Sequence, residues 1–511
     1  MLRISSSKTI PLLFALCFAA TYSAVAEPKD AIGLSDPTFA GKLDNLATGE
    51  WWKKEKVDAK MNYGLPKFKS MIVPRNEVIA FGLYTLHHKT LKLTAQLYPL
   101  YPDESRHLQL EIQKEGEWVE IQKATINPIG WTATFRVENW EDTKNQPYRI
   151  RHGESASYEG TIRKNPVDKD EITVALLSCN SSRVRAKSGK FTRTYTREHL
   201  VRNINHQDPD LICFTGDQHY DHYEHTAGWL MFGMQFRETF RHRPCVTIPD
   251  DHDVGHGNLW GVAGKKSNKG SGDDGGYFLS AEYVNMVQRA QTAHLPDPYD
   301  PTPIQQNISV YYSMYDLGGV SFAIIEDRKF KSAPLKRPLK KKERIDMIED
   351  LDLTPESLDS PDLKLLGDRQ LSFLKDWANK KKGTPLKAVI SQSPFCNAVH
   401  VYGKKDGKRY RADLDSNGWP QTGRNRALRA MQQANAVHLC GDQHLATLIQ
   451  HGIDKHGDGP WSFASPAIIN QIYKRWWSPV GGETKQIDFG IDLGLFNNKV
   501  SIIADYYKST T

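Results

Sequence analysis

The stretch Leu211-Ile212-Cys213-Phe214-Thr215-Gly216-Asp217-Gln218-His219-Tyr220-Asp221 decides how the rest of the chain is read. Its four leading apolar residues predict a short buried strand, Gly216 a tight turn, and the residues after it polar groups delivered at the strand's carboxyl end. Three more segments share this shape: residues 174–177 before Ser178-Cys179-Asn180, 244–249 before Asp250-Asp251-His252-Asp253, and Ala436–Cys440 before Gly441-Asp442-Gln443-His444. One such strand is ordinary. Four of them, if they share a sheet, bring carboxylate, imidazole, thiol and phenol groups to one rim, and that donor set predicts a metal centre.

Composition frames that centre. A chain of 511 residues has room for two or three domains, and 39% apolar with 25% charged residues is a globular mix, which excludes a chain disordered as a whole. Arg3 and Lys8, an apolar run over 10–20 and Ala24-Val25-Ala26 before Glu27 predict an export signal over 1–26. The run is shorter than the roughly 20 apolar residues a spanning helix needs, so the expectation is export to the periplasm or medium and no transmembrane helix. Lipid attachment at Cys17 is disfavoured by the large Leu16 before it. The formal charge of +7 includes Arg3 and Lys8, so the processed chain is only mildly basic and predicts no nucleic-acid binding. The most basic stretch, 329–344, reads as a solvated loop and helix start. Of the five cysteines beyond the signal, Cys213, Cys245 and Cys440 lie in apolar strand cores as small hydrophobes, so no disulfide framework is expected. Cys179 differs, standing at a strand end beside Asn180 as a ligand would.

Along the chain, 27–77 is a lysine-rich and aromatic lead-in with Trp51-Trp52. Residues 78–165 alternate apolar and polar side chains, as in Leu91-Lys92-Leu93-Thr94-Ala95, between Asn, Pro and Gly turns, which predicts a small β-sandwich. A linker at 165–170 leads into 171–480, where strands alternate with helical patterns, an α/β domain. One helix is expected over 368–380, with Leu371, Leu374 and Trp377 on its core face. The stretch 262–276, with Asp273-Asp274, lacks regular ligand spacing and reads as a loop. Residues 481–511 make an atypical tail: 487–495 alternates apolar residues with Asp and Gly, 496–499 turns, and 500–507 runs back, predicting a hairpin.

Five ordered motifs now carry a resemblance. Ser178-Cys179-Asn180, Gly216-Asp217-x-x-Tyr220, Asp250-Asp251-His252-Asp253-Val254, Leu366-Gly367-x-x-Gln370-x-x-Phe373-Leu374 and Gly441-Asp442-x-His444 resemble the PhoD-like alkaline phosphatase/phosphodiesterase family of calcineurin-like metallophosphoesterases, related in its centre to purple acid phosphatases. The resemblance spans about 171–477. It implies a four-layer α/β/β/α sandwich behind the small β-sandwich, a ferric ion with calcium, and hydrolysis of phosphate mono- or diesters. The tail's wording resembles strands of TonB-dependent outer-membrane receptors, which reads as a segment fused onto the phosphatase; the alternative is a soluble edge hairpin.

Residue types assign roles within that resemblance. Phosphoryl transfer needs positioning and charge stabilisation, which two cations about 3.5–4 Å apart supply while activating water. Asp217 would bridge them, with Cys179, Tyr220 and His444 completing the ferric shell and Asp251 and Asp442 giving hard oxygens to calcium. His252 would protonate the leaving oxygen or hold the phosphate, and Asp253 would orient its ring. Asn180, Arg183 and Asn258 are candidate substrate-binding residues. His219, His222 and His225 read as loop or helix-face residues. Where the wider superfamily has its first Asp and His, this chain has Cys179-Asn180, and Asp442 replaces the first His of the closing motif. The alternative function is a non-catalytic, surface-associated binding protein with an inert phosphatase domain.

Overall fold

The structure is a computed structural model that describes residues 43–44, 46–47, 73–185, 191–193, 197–222, 224–335, 344–353, 355–384, 386–402, 409–470 and 474–476, with backbone segments 2–5, 13–16, 491–495 and 500–504. The cleavage position at 24–26, Trp51-Trp52 and the lysine-rich 336–343 lie outside the described residues.

Between 79 and 162 two antiparallel sheets form. Ile79–His87, Thr90–Leu97 and Thr132–Val137 make one; Glu117–Thr125, His107–Lys114, Gln146–His152 and Ala156–Ile162 make the other. Leu91 and Leu93 are buried with Lys92 between them less so, as strand alternation requires. The first of these sheets leans on a helix of the α/β half. Phe81 meets Trp229 edge-on at 5.4 Å, and a Cβ at Gly233 would lie 1.8 Å from the Phe81 ring, so only glycine admits that approach.

The α/β half is laid out as β1 (Glu171–Asn180), α1 (Glu198–Gln207), β2 (Leu211–Phe214), α2 (His225–Phe240), β3 (Cys245–Thr247), α3 (Ala281–Thr292), β4 (Ser313–Leu317), β5 (Val320–Ile324), α4 (Gly367–Lys380), β6 (Leu386–Ile390), α5 (Gln421–Gln433), β7 (Ala436–Cys440), β8 (Thr447–Gln450), β9 (Trp461–Ala464) and β10 (Ala467–Ile469). β1, β2 and β3 are neighbours in parallel, and β10 joins β1 beside Ser178 and Asn180. A second sheet runs β4-β5-β6-β7-β9-β8, parallel from β5 through β6 and β7 to β9.

Side-chain alternation shows how the sheets stack. Val174, Leu176, Leu211 and Cys213 share one core with Phe322, Ile324, Ala388 and Ile390, whereas Ala175, Leu177, Ile212 and Phe214 pack with α2. On the far side Ala323 and Val389 pack with Leu374 and Trp377 of α4 and Leu428 of α5. The two sheets therefore face each other with helices outside both. Strands covered on both faces read as unbroken apolar runs, and each fully buried Leu, Ile or Phe contributes about 1.5–3 kcal/mol.

The four ligand-bearing strands do not share one sheet. β1, β2 and β3 lie in the first sheet and β7 in the second, so the donor residues meet at the common carboxyl rim of two facing sheets. The stretch 329–344 is also not simply solvated. Lys331 is buried and its Nζ donates to the carbonyls of Leu414 at 3.0 Å, Asp415 at 2.6 Å and Ser416 at 2.9 Å. Lys329 is buried too and bonds Gln288 and Ser309. The described cysteines beyond the signal are all free. At the margin of the first sheet, segment 2–5 pairs with β1, 13–16 with 2–5, and the hairpin of Ile491–Leu495 and Val500–Ala504 continues the sheet beyond 13–16.

Candidate metal centre

Backbone conformation aims the donors. Cys179 (φ 59°), Asp217 (φ 57°), Asp442 (φ 63°) and His444 (φ 59°) all occupy the left-handed region, which costs non-glycine residues of order 1–3 kcal/mol each and persists only where surroundings enforce it. Those surroundings are visible. Cys179 N–H donates to the Gly216 carbonyl at 3.1 Å, Asn180 N–H to that of Asp217 at 2.8 Å, and Gly441 N–H to that of Gln392 at 2.8 Å. Asp442 N–H donates to Ser178 Oγ at 3.0 Å. The turn glycines are required by space: a Cβ at Gly216 would sit 2.4 Å from Asp250 Cβ, and one at Gly441 2.3 Å from Ser178 Cβ. Cys179 and Asn180 remain inside β1 because β10 pairs alongside them.

Two donor groups result, and they share Asp217. In the first, ligand atoms of Cys179, Asp217 and His444 lie within 4.8 Å of one another. Cys179 Sγ is 3.7 Å from Asp217 Oδ2; Tyr220 donates its phenol to that same oxygen at 2.7 Å and stands 3.2 Å from His444 Nε2. In the second, Asp217, Asp251 and His252 converge within the same 4.8 Å limit. There the backbone N–H of His252 donates to Asp217 Oδ1 at 3.3 Å.

The electrostatics test whether cations fit. Burial pushes the Asp217 carboxyl well above its ordinary range, and Asp250, Asp253 and Asp442 push it further. Burial followed by Asp217 does the same to Asp251, to the Cys179 thiol and to the Tyr220 phenol. Acids crowded this closely in a dry site are held neutral unless positive charge arrives, and a multivalent ion reverses that balance. The donor set fits a metal.

Several expected roles change. Asp442 does not join the second group: its Oδ2 accepts from Arg328 Nη2 at 3.0 Å, from Gln443 Nε2 at 2.8 Å and from the Ser393 hydroxyl. Burial alone would raise its pKa, but Arg328 and Lys474 outweigh it and hold the carboxyl low. Asp253 does not touch the His252 ring. Its Oδ2 accepts the N–H groups of Asp217 at 2.7 Å and Asp250 at 2.9 Å, and its Oδ1 accepts Gln218 N–H at 3.0 Å and Gln291 Nε2 at 3.1 Å. It clamps the turns after β2 and β3 together. The ring partner of His252 is His222, whose Nε2 lies 2.6 Å from His252 Nδ1. His219 and His225 are buried and bond each other at 2.9 Å.

The candidate substrate-binding residues are also reassigned. Asn180 is buried with its amide spent on Gln218, Gln235 and Arg197, so it braces the strand ends. The Asn258 side chain bonds Asp346 and belongs to neither donor group. Of Arg183 the structure describes only the backbone, in a strand over Arg183–Arg185.

The residue missed altogether is Arg328. It is buried among three carboxylates, with Nε 2.6 Å from Asp250 Oδ1, Nη1 2.5 Å from Asp415 Oδ1 and Nη2 3.0 Å from Asp442 Oδ2. A signal for it was present, because Glu326-Asp327-Arg328 follows the apolar strand β5 as the ligand-bearing motifs follow theirs. Arginine is not a metal ligand, so a search for ligands passes over it.

Facing α/β sheets whose shared rim carries two donor groups with Asp217 in common fit one class, a metal-dependent phosphoester hydrolase. Residues 230–471 match the model of the PhoD-like phosphatase family. The solved structure of PhoD has the same fold, with TM-score 0.55 and 15% identity over 78% of this chain and 78% of that chain. A weaker likeness is to purple acid phosphatase PPD1 from yellow lupin (Lupinus luteus) seeds, with TM-score 0.48 and 11% identity over 83% of this chain and 74% of that chain. No curated protein matches the sequence. Among the described residues no helix is long and apolar enough to cross a membrane.

Proposed function

We propose that the chain is an exported, binuclear phosphoester hydrolase of the alkaline phosphatase D type, acting on phosphate monoesters or diesters. The observation that carries this reading is Asp217, which belongs to both donor groups. Cys179, Tyr220, His444 and Asp217 combine thiol, phenol, imidazole and carboxylate, a mixture suited to a ferric ion. Asp217 and Asp251 would hold the second, divalent ion with the His252 ring beside it, and calcium is the expectation from the family; its larger shell of oxygens would be completed by water and substrate. When bound, such ions polarise phosphoryl oxygens and make water a nucleophile near neutral pH.

The chain's own groups do the positioning. Burial, then His222 and His444, keep His252 neutral. His222 Nε2 and His252 Nδ1 share a hydrogen bond at 2.6 Å; in the tautomer where His222 donates, the His252 proton would reside on Nε2 and could bond an ester oxygen. The Asp253 clamp holds Asp217 and Asp250 in register, and Arg328 neutralises the carboxylates behind them.

The test is turnover of paired chromogenic phosphate mono- and diesters by the purified protein, with calcium, before and after chelation, beside Asp217→Ala. Chelator-sensitive hydrolysis lost in the variant supports the reading. Equal, negligible rates from iron-loaded wild type and variant sink it.

A further inference from the structure

Part of the lead-in is wedged between the β-sandwich and the α/β half. Asp44, Leu46 and Ala47 are all buried. On the sandwich side the Leu46 carbonyl accepts Trp131 Nε1–H at 2.5 Å, and the Ala47 carbonyl accepts Gly130 N–H at 2.8 Å. On the other side Asp44 reaches the start of α2. Its Oδ2 accepts the N–H and the hydroxyl of Thr226, each at 3.0 Å, and its Oδ1 accepts Leu46 N–H at 3.0 Å. Glu224, at the helix's own N-cap position, makes no capping side-chain bond, so α2 is capped by a residue 182 positions earlier in the chain. A carboxylate suits that place, because the free N–H groups and the positive dipole end of a helix start favour an acid.

What α2 supports gives this cap its consequence. The helix begins at His225, five residues after Tyr220. His225 Nδ1 lies 2.9 Å from Nε2 of His219, and His219 Nδ1 accepts the Asp221 N–H at 3.3 Å. The His219 ring thus ties the helix to the loop that delivers Asp217 and Tyr220 on either side of it. Further along the helix a Cβ at Gly228 would lie 2.5 Å from His219 Cγ, so the helix backbone rests directly on that ring. Ala47 in turn shares a core with Val254, the residue after His252 and Asp253. Asp217 itself holds a left-handed backbone (φ 57°), a conformation that lasts only where its surroundings enforce it.

We propose that Asp44 is a positioning residue for the metal centre: by capping α2 from the lead-in it holds the His219-bearing loop in the shape that presents Asp217 and Tyr220. It touches no donor atom and acts through Thr226, His225 and His219. The centre's hold on metal is thereby tied to the β-sandwich, to which the same stretch is bonded at Gly130 and Trp131. This rests on the metal-binding reading of the donor groups given above.

The experiment compares the full chain with Asp44→Ala, Asp44→Asn, Thr226→Val and Leu374→Ala, the last truncating a separate core under α4 as a control for lowered stability alone. Iron release from the loaded protein is followed with a chromogenic chelator, and amide exchange of 217–228 in the metal-free protein by mass spectrometry. Losing both bonds to Thr226 predicts that Asp44→Ala releases iron and exchanges those amides at least tenfold faster. Asp44→Asn keeps an oxygen facing Thr226 and is expected to recover most of the loss. Thr226→Val removes the hydroxyl bond alone and is expected to speed both processes about threefold. Leu374→Ala lowers Tm with both rates within about twofold of wild type. Wild-type release and exchange in Asp44→Ala overturn the proposal, as does an equal acceleration in Leu374→Ala at a matched fall in Tm. A wild type that hydrolyses neither phosphate ester, while Asp44→Ala still speeds release and exchange, refutes the hydrolase reading and keeps the positioning role.

Discussion

Asp253→Asn separates two accounts of the same residue. In the structure its carboxylate accepts four hydrogen bonds, two on each oxygen, three of them from the backbone N–H groups of Asp217, Gln218 and Asp250. An asparagine in that place replaces one oxygen with an amino group facing two donors, so two bonds are lost and their donors stay buried. At about 1.5–3 kcal/mol for each bond to a charged acceptor, the loss is roughly 3–6 kcal/mol. Burial opposes the charged carboxyl and raises its pKa, so removing the charge returns part of that sum. A net cost of about 2–4 kcal/mol remains, on the order of 5–10 °C in Tm for a domain of this kind. Because the strained Asp217 backbone is held by this clamp, metal retention falls with it. The assay is Tm by calorimetry with iron and calcium per chain after dialysis against chelator, run beside His252→Asn, which leaves both donor-bearing turns clamped. If Asp253→Asn keeps its Tm within about 1 °C and its full metal content, losing only kcat as His252→Asn does, then Asp253 acts through the histidine ring and the clamp is wrong.

Arg328→Met leaves Asp250, Asp415 and Asp442 buried without their cation, and breaking a buried ionic network from one side costs about 3–5 kcal/mol, readable as a lower urea midpoint at unchanged slope; a loss below about 1 kcal/mol contradicts the network. His222→Ala removes the ring partner of His252, and kcat should fall about tenfold or more with Tm nearly unchanged, measured on the faster ester. The Asp413 carboxyl is raised to about 7, by burial first, with Lys474 opposing. The folded state thus holds a proton that the unfolded chain releases near pH 4, so this group's contribution is complete below that pH and is lost as pH rises through about 7. Asp413→Asn should flatten the fall of Tm between pH 5 and 8, and an identical slope in both proteins rules the assignment out.

Much of the site is legible in the order of residues alone, for a local reason. Short apolar runs ending in Gly-Asp or Asp-Asp-His report strands buried on both faces with reactive groups at one end, and Asp217, Cys179, Tyr220, Asp251, His252 and His444 do meet at one rim. The helix over 368–380 is legible for a similar reason, because Leu374 and Trp377 recur at helical spacing and both are buried in α4. What a run of apolar residues does not encode is which sheet its strand joins. β7 looks like β2 in sequence yet sits in the opposite sheet, between β6 and β9.

Side-chain direction is settled in three dimensions. Asp442 follows a glycine just as Asp217 does, but it turns to Arg328, a residue from another strand end, because an arginine's fixed charge is available to it there. Asp253 adjoins His252 in sequence and points away from its ring, toward backbone N–H groups of a neighbouring turn, while His222 from that turn takes the ring instead. The amino-acid order thus sets which chemical groups this protein brings to its strand ends. Which of them face one another is fixed by the fold, since a buried charge or hydrogen-bond donor takes the partner nearest in space, wherever that partner lies along the chain.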